Sequence, residues 1–383
     1  MGWINSPGGD PCHGKRCRSW SKEKHSCVWR CWKVPTGGSC AVVSASDTGY
    51  KWLRRRAAGE TELVDRSRRP HRSPNQTEAV LEAKVLAIRD AHPAWGARKL
   101  VACLKRENIA PPAASTVHAM LRRNDRVIET AGQGAPLTRF EKAAPNQLWQ
   151  MDFKGWVKMT DGGRLHPLTV VDDHSRYLVC LKACAEQTEE TVRRHLETVF
   201  RHHGLPERMY VDNGSPWGGG AAERWTRFGV WLLKLGVSVT HSRPYHPQGR
   251  GKNERLHRTL KREAMSLRCF RGIDEAQGAF DAWRPVYNDE RPHEALGMAV
   301  PSDRYRPSCR PMPVRPMEPE YDEGEITRKV GTTKAYISFK GRMWPVGQAF
   351  FGERVAIRPR GVDGRYGIFF GAHRIGDIDL AMK

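Results

Sequence analysis

From Pro145 onward the apolar pattern of this chain changes period in a fixed order, and that order constrains the fold more than any other feature. Leu148–Phe153, Pro167–Val171 and Tyr177–Leu181 read as strands, with Asp161-Gly162-Gly163 as a hairpin turn and Asp172–Arg176 as a second turn. A helix follows Thr188, carries Val192, Leu196, Val199 and Phe200 on one face, and stops at Gly204. Arg208–Val211 is a short strand, Trp225–Leu235 an apolar helix and Val237–Thr240 a further strand. Two more helices start near Asn253 and span roughly Asp274–Asn288.

The order is β-β-β-α-β-α-β-α-α. Three antiparallel strands followed by alternating helices and strands is the order of a ribonuclease-H-like mixed five-stranded sheet, so the fold class is α/β. This core is assigned to residues 145–308. Before it lie three short amphipathic segments: Leu81, Val85 and Ile88; Leu100, Cys103 and Leu104; Val117, Met120 and Leu121, the last after Ser115 as N-cap. Three short helices ending in Arg122, Arg123 and Arg126 predict a helix-turn-helix DNA-binding domain over residues 75–125, with a plain three-helix bundle as the alternative. Residues 48–74, 126–144 and 309–328 read as linkers. Alternating runs with glycines between them predict a small β-barrel over residues 329–383.

Lys and Arg total 64 against 42 Asp and Glu, a formal net charge of +22. So large an excess self-repels unless a polyanion is near, and a nucleic-acid backbone is the ready partner. No run of about 18 apolar residues and no signal-peptide pattern is present, so the expectation is a cytoplasmic, nucleoid-associated protein with no membrane partner. Residues 1–47 differ from the rest: they hold five of the ten cysteines, including Cys12, Cys17, Cys27 and Cys31, in spacings that fit no closed zinc pattern.

Cleaving and transferring a phosphodiester calls for divalent metals, two of them about 3.5–4 Å apart, and hard ions such as Mg²⁺ (or Mn²⁺) want carboxylate ligands. Three carboxylates stand out. Asp152 lies inside the first strand of the core and Asp212 ends the fourth; in a ribonuclease-H-like sheet those strands are neighbours. Between His241 and Arg262 there are seven Lys or Arg residues and a single acid, Glu254. On a helix, Leu256, Leu260, Ala264 and Leu267 form the core stripe, and Glu254 lies about 200° from Leu256, facing away from it. Lys261, seven residues on, returns to the face of Glu254. The plainer readings are that Asp212 starts a turn, Asp152 is a strand-edge charge, and Glu254 pairs with Arg258. Asp172 and Asp173 are rival acids that fall in a hairpin turn, where a supporting role suits them better.

The stretches WQMDF (149–153), LTVVDDHSRYL (168–178), VDNGSPWG (211–218), RPYHPQGRGKNERLHRTLK (243–261) and YNDERPHEALG (287–297), with WGARKL (95–100), resemble the integrase-core insertion-sequence transposases, relatives of the retroviral integrases. The resemblance runs from about residue 48 to the C-terminus. It implies a metal-dependent DDE site at Asp152, Asp212 and Glu254 holding two Mg²⁺ or Mn²⁺ ions. It also implies that Lys261 touches DNA and that two transposon ends are brought together by a homo-oligomer. The chemistry expected is cleavage at a terminal inverted repeat to free a 3′-OH, which then attacks target DNA. Besides Lys261, the residues expected to contact DNA are Arg243, Gln248, Arg250, Lys252, Arg258, Arg122, Arg123 and Arg126.

Three departures stand out. The 41 residues between Asp212 and Glu254 are more than is usual in the family, and Arg250 replaces a small polar residue or Gln. Family members usually begin with a helix-turn-helix ending in a phrase that Asp47–Leu53 fits, but nothing before it does. Residues up to about 46 therefore read as an out-of-frame translation of a lost helix-turn-helix. The rival readings are a catalytically silent DNA-binding protein derived from a decayed transposase, and a structure-selective nuclease of the same fold.

Overall fold

The computed structural model describes residues 54–59, 76–127, 141–218, 225–242, 251–266 and 268–381. Expectations for residues 1–47, and for Arg243, Gln248, Arg250 and Leu267, lie outside the described residues. The chain divides into two compact units, Met1–Gln76 and Thr77–Lys383. In the first, residues 54–57 are helical, within the stretch read as a linker. All that follows concerns the second.

It opens with three helices, α1 (Ala79–Ala91), α2 (Ala97–Arg106) and α3 (Ala114–Arg123). Their apolar positions recur at helical spacing, so Val85, Leu100, Leu104, Val117 and Leu121 close on Trp95 in one small core. The expected cap does not hold: α3 starts at Ala114, with Ala113 as N-cap and no side-chain cap bond. Pro111 and Pro112 just before it already restrict the chain to extended conformations and set the entry.

The central sheet is the expected mixed one. Strand β1 (Trp149–Phe153) pairs antiparallel with β3 (Arg164–Asp172), which pairs antiparallel with β4 (Leu178–Cys184). On its other side β1 runs parallel to β5 (Arg208–Val211), and β5 parallel to β6 (Ser238–His241). One strand was not foreseen: β2 (Val157–Lys158) pairs with the start of β3. It occupies the same edge of β3 as β1, so the sheet remains five strands wide.

Both faces are covered, as crossover connections demand. Trp149, Met151, Leu168 and Val170 pack with side chains of α4 (Glu189–His203) and α5 (Arg227–Lys234). Leu165, Val171 and Leu181 pack with α6 (Gly251–Leu260) and α7 (Ile273–Pro285). Thr188 caps α4 by accepting from the Thr191 amide, and Gly204 follows its end with φ +72°. Leu256, Leu260 and Ala264 are buried, as the stripe requires. α6 continues as a π-helical turn over Lys261–Met265, and α7 as another over Val286–Glu290.

After the short helix α8 (Pro301–Arg304), the C-terminal segment is antiparallel but not a closed barrel. β7 (Ile326–Lys329), β10 (Arg354–Pro359), β11 (Arg365–Phe370) and β12 (His373–Asp379) form a sheet in the order β12-β11-β10-β7. β8 (Tyr336–Phe339) and β9 (Arg342–Pro345) form a separate hairpin. Closure would need the two outer strands to pair, and β7 and β12 do not. The segment buries Val355, Ile357, Ile368 and Phe370 together with Val230 and Leu233 of α5. Among the described residues no helix is long and apolar enough to cross a membrane.

Candidate active site

The register of the sheet brings two aspartates level. β5 pairs with β1 through Trp149↔Met209 and Gln150↔Tyr210; Asp152 stands two residues further along β1, and Asp212 directly follows the last residue of β5. Adjacent strands lie about 4.8 Å apart, so the two backbones deliver a carboxylate each to the same end of the sheet. Both residues are half-buried. Two carboxylates so placed repel unless a cation lies between them.

The loop after β5 fixes Asp212. Its Oδ1 accepts the Gly214 amide at 2.9 Å and the indole N–H of Trp217. Trp217 is buried and stacks on Phe153, the neighbour of Asp152, with ring centroids 5.3 Å apart. The loop is so tight that a Cβ on Gly218 would sit 2.2 Å from the Asn213 carbonyl oxygen; only glycine fits. His241 Nδ1 bonds the Asp212 carbonyl at 2.9 Å, and Asn213 Nδ2 donates to the Ser242 carbonyl at 2.9 Å, joining the loop to β6.

Glu254 lies in the first turn of α6 and is exposed. What holds its helix against β1 is a short polar chain. Thr169, directly opposite Asp152 in the β1–β3 register, donates its hydroxyl to the Asp152 carbonyl at 3.0 Å. The same hydroxyl meets Nε2 of His257 at 2.8 Å. His257 is one turn beyond Glu254, and burial, with Lys154 adding to it, pushes its pKa down to about 4. A neutral imidazole therefore joins α6 to the strand that carries Asp152. Among the described residues no three acidic, histidine or cysteine side chains come together as a group that could hold a metal ion, so Glu254 is not gathered with Asp152 and Asp212 into such a group.

The rival acids are structural. Asp172 and Asp173 are fully buried. Asp172 accepts from the amides of Asn146 and Ser175 and from the Ser175 hydroxyl. Asp173 accepts from Gln150 Nε2 at 2.8 Å and the Lys142 amide at 2.8 Å, and it pairs with the Lys252 ammonium.

That last contact alters the expected DNA-contact set. The Lys252 side chain is only 14% exposed and is committed to Asp173; burial lowers its pKa to about 8, with Arg176 also lowering it and Asp173 opposing. Lys252 is therefore held in an ion pair with Asp173 rather than extended into solvent. Arg258 and Lys261 are exposed, as expected. In α3 and beyond, Arg122 is exposed, whereas Arg123 is bonded to Glu82 at 2.6 Å and Arg126 to Asp90 at 3.1 Å.

Four contributors went unnoticed in the sequence. Lys154 follows Asp152 by two residues, hence on the same face of the strand. Its pKa is lowered by burial and by the nearby charge of Lys261, so the two ammonium groups lie near each other. The strand period could have shown Lys154, and the i, i+3 spacing from Glu254 could have shown His257. Nothing local distinguishes Thr169 or Trp217, whose roles depend on strand register and loop closure.

Four family models match the chain. They are a homeodomain-like domain over residues 48–121, two integrase core domain models over 142–247 and 235–301, and the C-terminal domain of IS481 family transposases over 325–383. A 31.7 kDa uncharacterized protein of insertion element IS407 from Burkholderia multivorans is 27% identical over 243 residues, 60% of this chain and 82% of that protein. A 39.2 kDa uncharacterized protein of insertion element IS476 from Xanthomonas euvesicatoria is 23% identical over 240 residues, 60% of this chain and 65% of that protein. The Gag-Pol polyprotein of baboon endogenous virus is 26% identical over 249 residues, 63% of this chain but 14% of the polyprotein. Among solved structures, a chain of the simian T-cell lymphotropic virus intasome with PP2A regulatory subunit B56 gamma gives a TM-score of 0.37 at 17% identity, covering 77% of this chain and 99% of that one. The HTLV-2 integrase catalytic core in complex with magnesium gives 0.34 at 15% identity, covering 43% and 99%.

Proposed function

This chain carries the domain set of an insertion-sequence transposase with an integrase-type core, and from that premise we propose that it binds transposon ends, cleaves there to free a 3′-OH, and joins that end to target DNA. The observation that carries the reading is the β1–β5 register that sets Asp152 level with Asp212, with α6 tied to the same strand through Thr169 and His257.

In this reading Asp152, Asp212 and Glu254 are the catalytic carboxylates. The donor set fits hard divalent cations: all three are oxygen ligands, and the two aspartates need a cation between them. Mg²⁺ or Mn²⁺, two ions held by these carboxylates, would supply the Lewis acidity that activates the attacking oxygen and neutralises charge on the phosphate. The protein does the rest by positioning. Trp217 and the Gly214 amide hold Oδ1 of Asp212 and so fix the orientation of its carboxylate. Neutral His257 keeps Thr169 and the Asp152 backbone fixed. Lys154, Lys261 and Arg258 hold phosphates beside the reacting one.

Two in-line displacements follow. In the first, a water oxygen bonds to the phosphorus at the transposon end and the bond to the 3′ oxygen breaks, leaving a 3′-OH on the element. In the second, that 3′-OH oxygen bonds to a target phosphorus and displaces the target's own 3′ oxygen. No protein side chain is bonded to DNA at any stage. Helices α1–α3 would read the terminal inverted repeat. A homo-oligomer would bring two ends together on the bacterial nucleoid, in the cytoplasm.

The test is a strand-transfer assay with the full chain, Mg²⁺ and DNA carrying the element's ends. Joined product is expected from wild type and none from Glu254→Gln, with DNA affinity changed less than about twofold. Full activity of Glu254→Gln overturns the assignment. Binding without any cleavage by wild type favours the silent DNA-binding alternative, to which the atypical residues 1–47, upstream of the homeodomain-like match at residue 48, lend weight.

A further inference from the structure

The catalytic strand leads into a second feature that faces water. After β1 the chain turns at Gly155, where φ is +92°, and re-enters the sheet as β2, with Val157 opposite Leu165 and Lys158 opposite Arg164. Side chains alternate along strands. Val157 and Leu165 thus share one face, where Leu165 is fully buried. Trp156, Lys158, Arg164 and His166 share the other.

Trp156 is 55% exposed, the only tryptophan among the exposed large apolar side chains of the described residues. The Arg164 guanidinium lies 4.7 Å from its ring centroid. A cation over an indole fixes the ring's plane and strengthens its use as a stacking surface. Lys158 and Arg164 are themselves exposed. Asp161 at the hairpin tip accepts the Gly163 amide at 2.7 Å.

The patch is linked to the carboxylates by a row of rings. Trp217 donates to Asp212 and stacks on Phe153, and Phe153 meets His166 edge-on at 6.5 Å; His166 and Trp156 each stand one residue beyond the Val157↔Leu165 pair of β2 and β3. The exposed indole stands four residues after Asp152 along the same run of chain.

We propose that Trp156, backed by Arg164, is a stacking platform for an unpaired nucleobase of the DNA strand held at the active site. The charge of the patch selects a polyanion. The flat exposed ring selects a base that has left the duplex, because both faces of a paired internal base are already stacked. Lys158 and Arg164 hold the flanking phosphates. The inference rests on the DNA-processing reading for why such a base is there, but the binding itself needs neither metal nor catalysis, so it can fail or hold separately from that reading.

The probe is a short duplex with a three-nucleotide unpaired extension carrying 2-aminopurine, compared with the same duplex made blunt, in EDTA. Full-length wild type is expected to quench the fluorophore and to bind the extended duplex more tightly. Trp156→Ala should lose the quenching and bind the extended duplex about tenfold more weakly, with blunt-duplex affinity unchanged. Trp156→Phe should keep most of both. Three results overturn the proposal. One is equal binding of the two duplexes by wild type. Another is an equal loss on both with Trp156→Ala. The third is a loss of self-association in place of the extension preference, which would make the patch a protein contact.

Discussion

Lys252 and Asp173 form a buried ion pair that joins the first turn of α6 to the turn after β3. Asp173 also holds Gln150, two residues before Asp152, while Lys252 lies two residues before Glu254. A single interior carboxylate thus braces β1, which carries Asp152, and α6, which carries Glu254. Its position gives the acid just past the end of β3 a bracing role between β1 and α6.

Lys252→Ala leaves Asp173 charged and unpaired in the interior, and a loss of about 3 kcal/mol of stability is expected. Lys252→Ala should leave the salt dependence of DNA binding unchanged, because the ammonium is not at a phosphate. Lys261→Ala should lower the slope of log K against log salt by about 1 without destabilising the fold. Equilibrium unfolding and salt-titrated DNA binding of the two variants check the contrast. A drop in salt slope with a stable Lys252→Ala protein would return Lys252 to the DNA interface.

Thr169 offers one hydroxyl to both the Asp152 carbonyl and His257. Thr169→Val keeps the volume but leaves both partners unsatisfied, costing about 1–3 kcal/mol. If the link positions α6, single-turnover strand transfer should fall roughly tenfold (about 1.4 kcal/mol) while DNA affinity holds. Thr169→Ser should restore the rate. A Thr169→Val rate equal to wild type would mean that the helix is held by its apolar stripe alone.

Away from the site, His203 ends α4 buried against Tyr177 and Tyr305, and burial pushes its pKa down to about 4 from the ordinary 6.5. The unfolded chain therefore binds a proton in the window from 6.5 to 4 that the folded chain refuses. The contribution of neutral His203 is fully present above pH 6.5 and lost as pH falls toward 4, on the order of 1–3 kcal/mol. Comparing wild type with His203→Gln in unfolding experiments from pH 7 to 4.5 should show a shallower acid limb for the variant. Parallel limbs would remove His203 from the acid response.

Much of the core was legible because its signals are local. The run from Trp149 to Phe153, the helix after Thr188 and the stripe Leu256–Leu260–Ala264 each declare their period within a few residues. Solitary Glu254 in a basic stretch is visible by counting. The pairing of Lys252 with Asp173 was not, since a lysine among lysines and arginines reads as surface until a residue 79 positions away is folded against it. β7 and β12 escaped notice because ITRK and HRIGDID lack a clean apolar alternation. They are held by register with β10 and β11, a long-range cause. Barrel closure was expected from alternating runs with glycines between them, but it depends on whether the outermost strands meet.

The proposed cation site rests on Asp152 and Asp212 sharing one ion across β1 and β5. Its most direct test is Mn²⁺ titration followed by electron paramagnetic resonance, on wild type, Asp152→Asn, Asp212→Asn and the double variant. The expected result is that each single change weakens Mn²⁺ binding at least tenfold and that the double change adds little further, the signature of shared ligands. Wild-type affinity in either single variant, or losses that simply add, would contradict it.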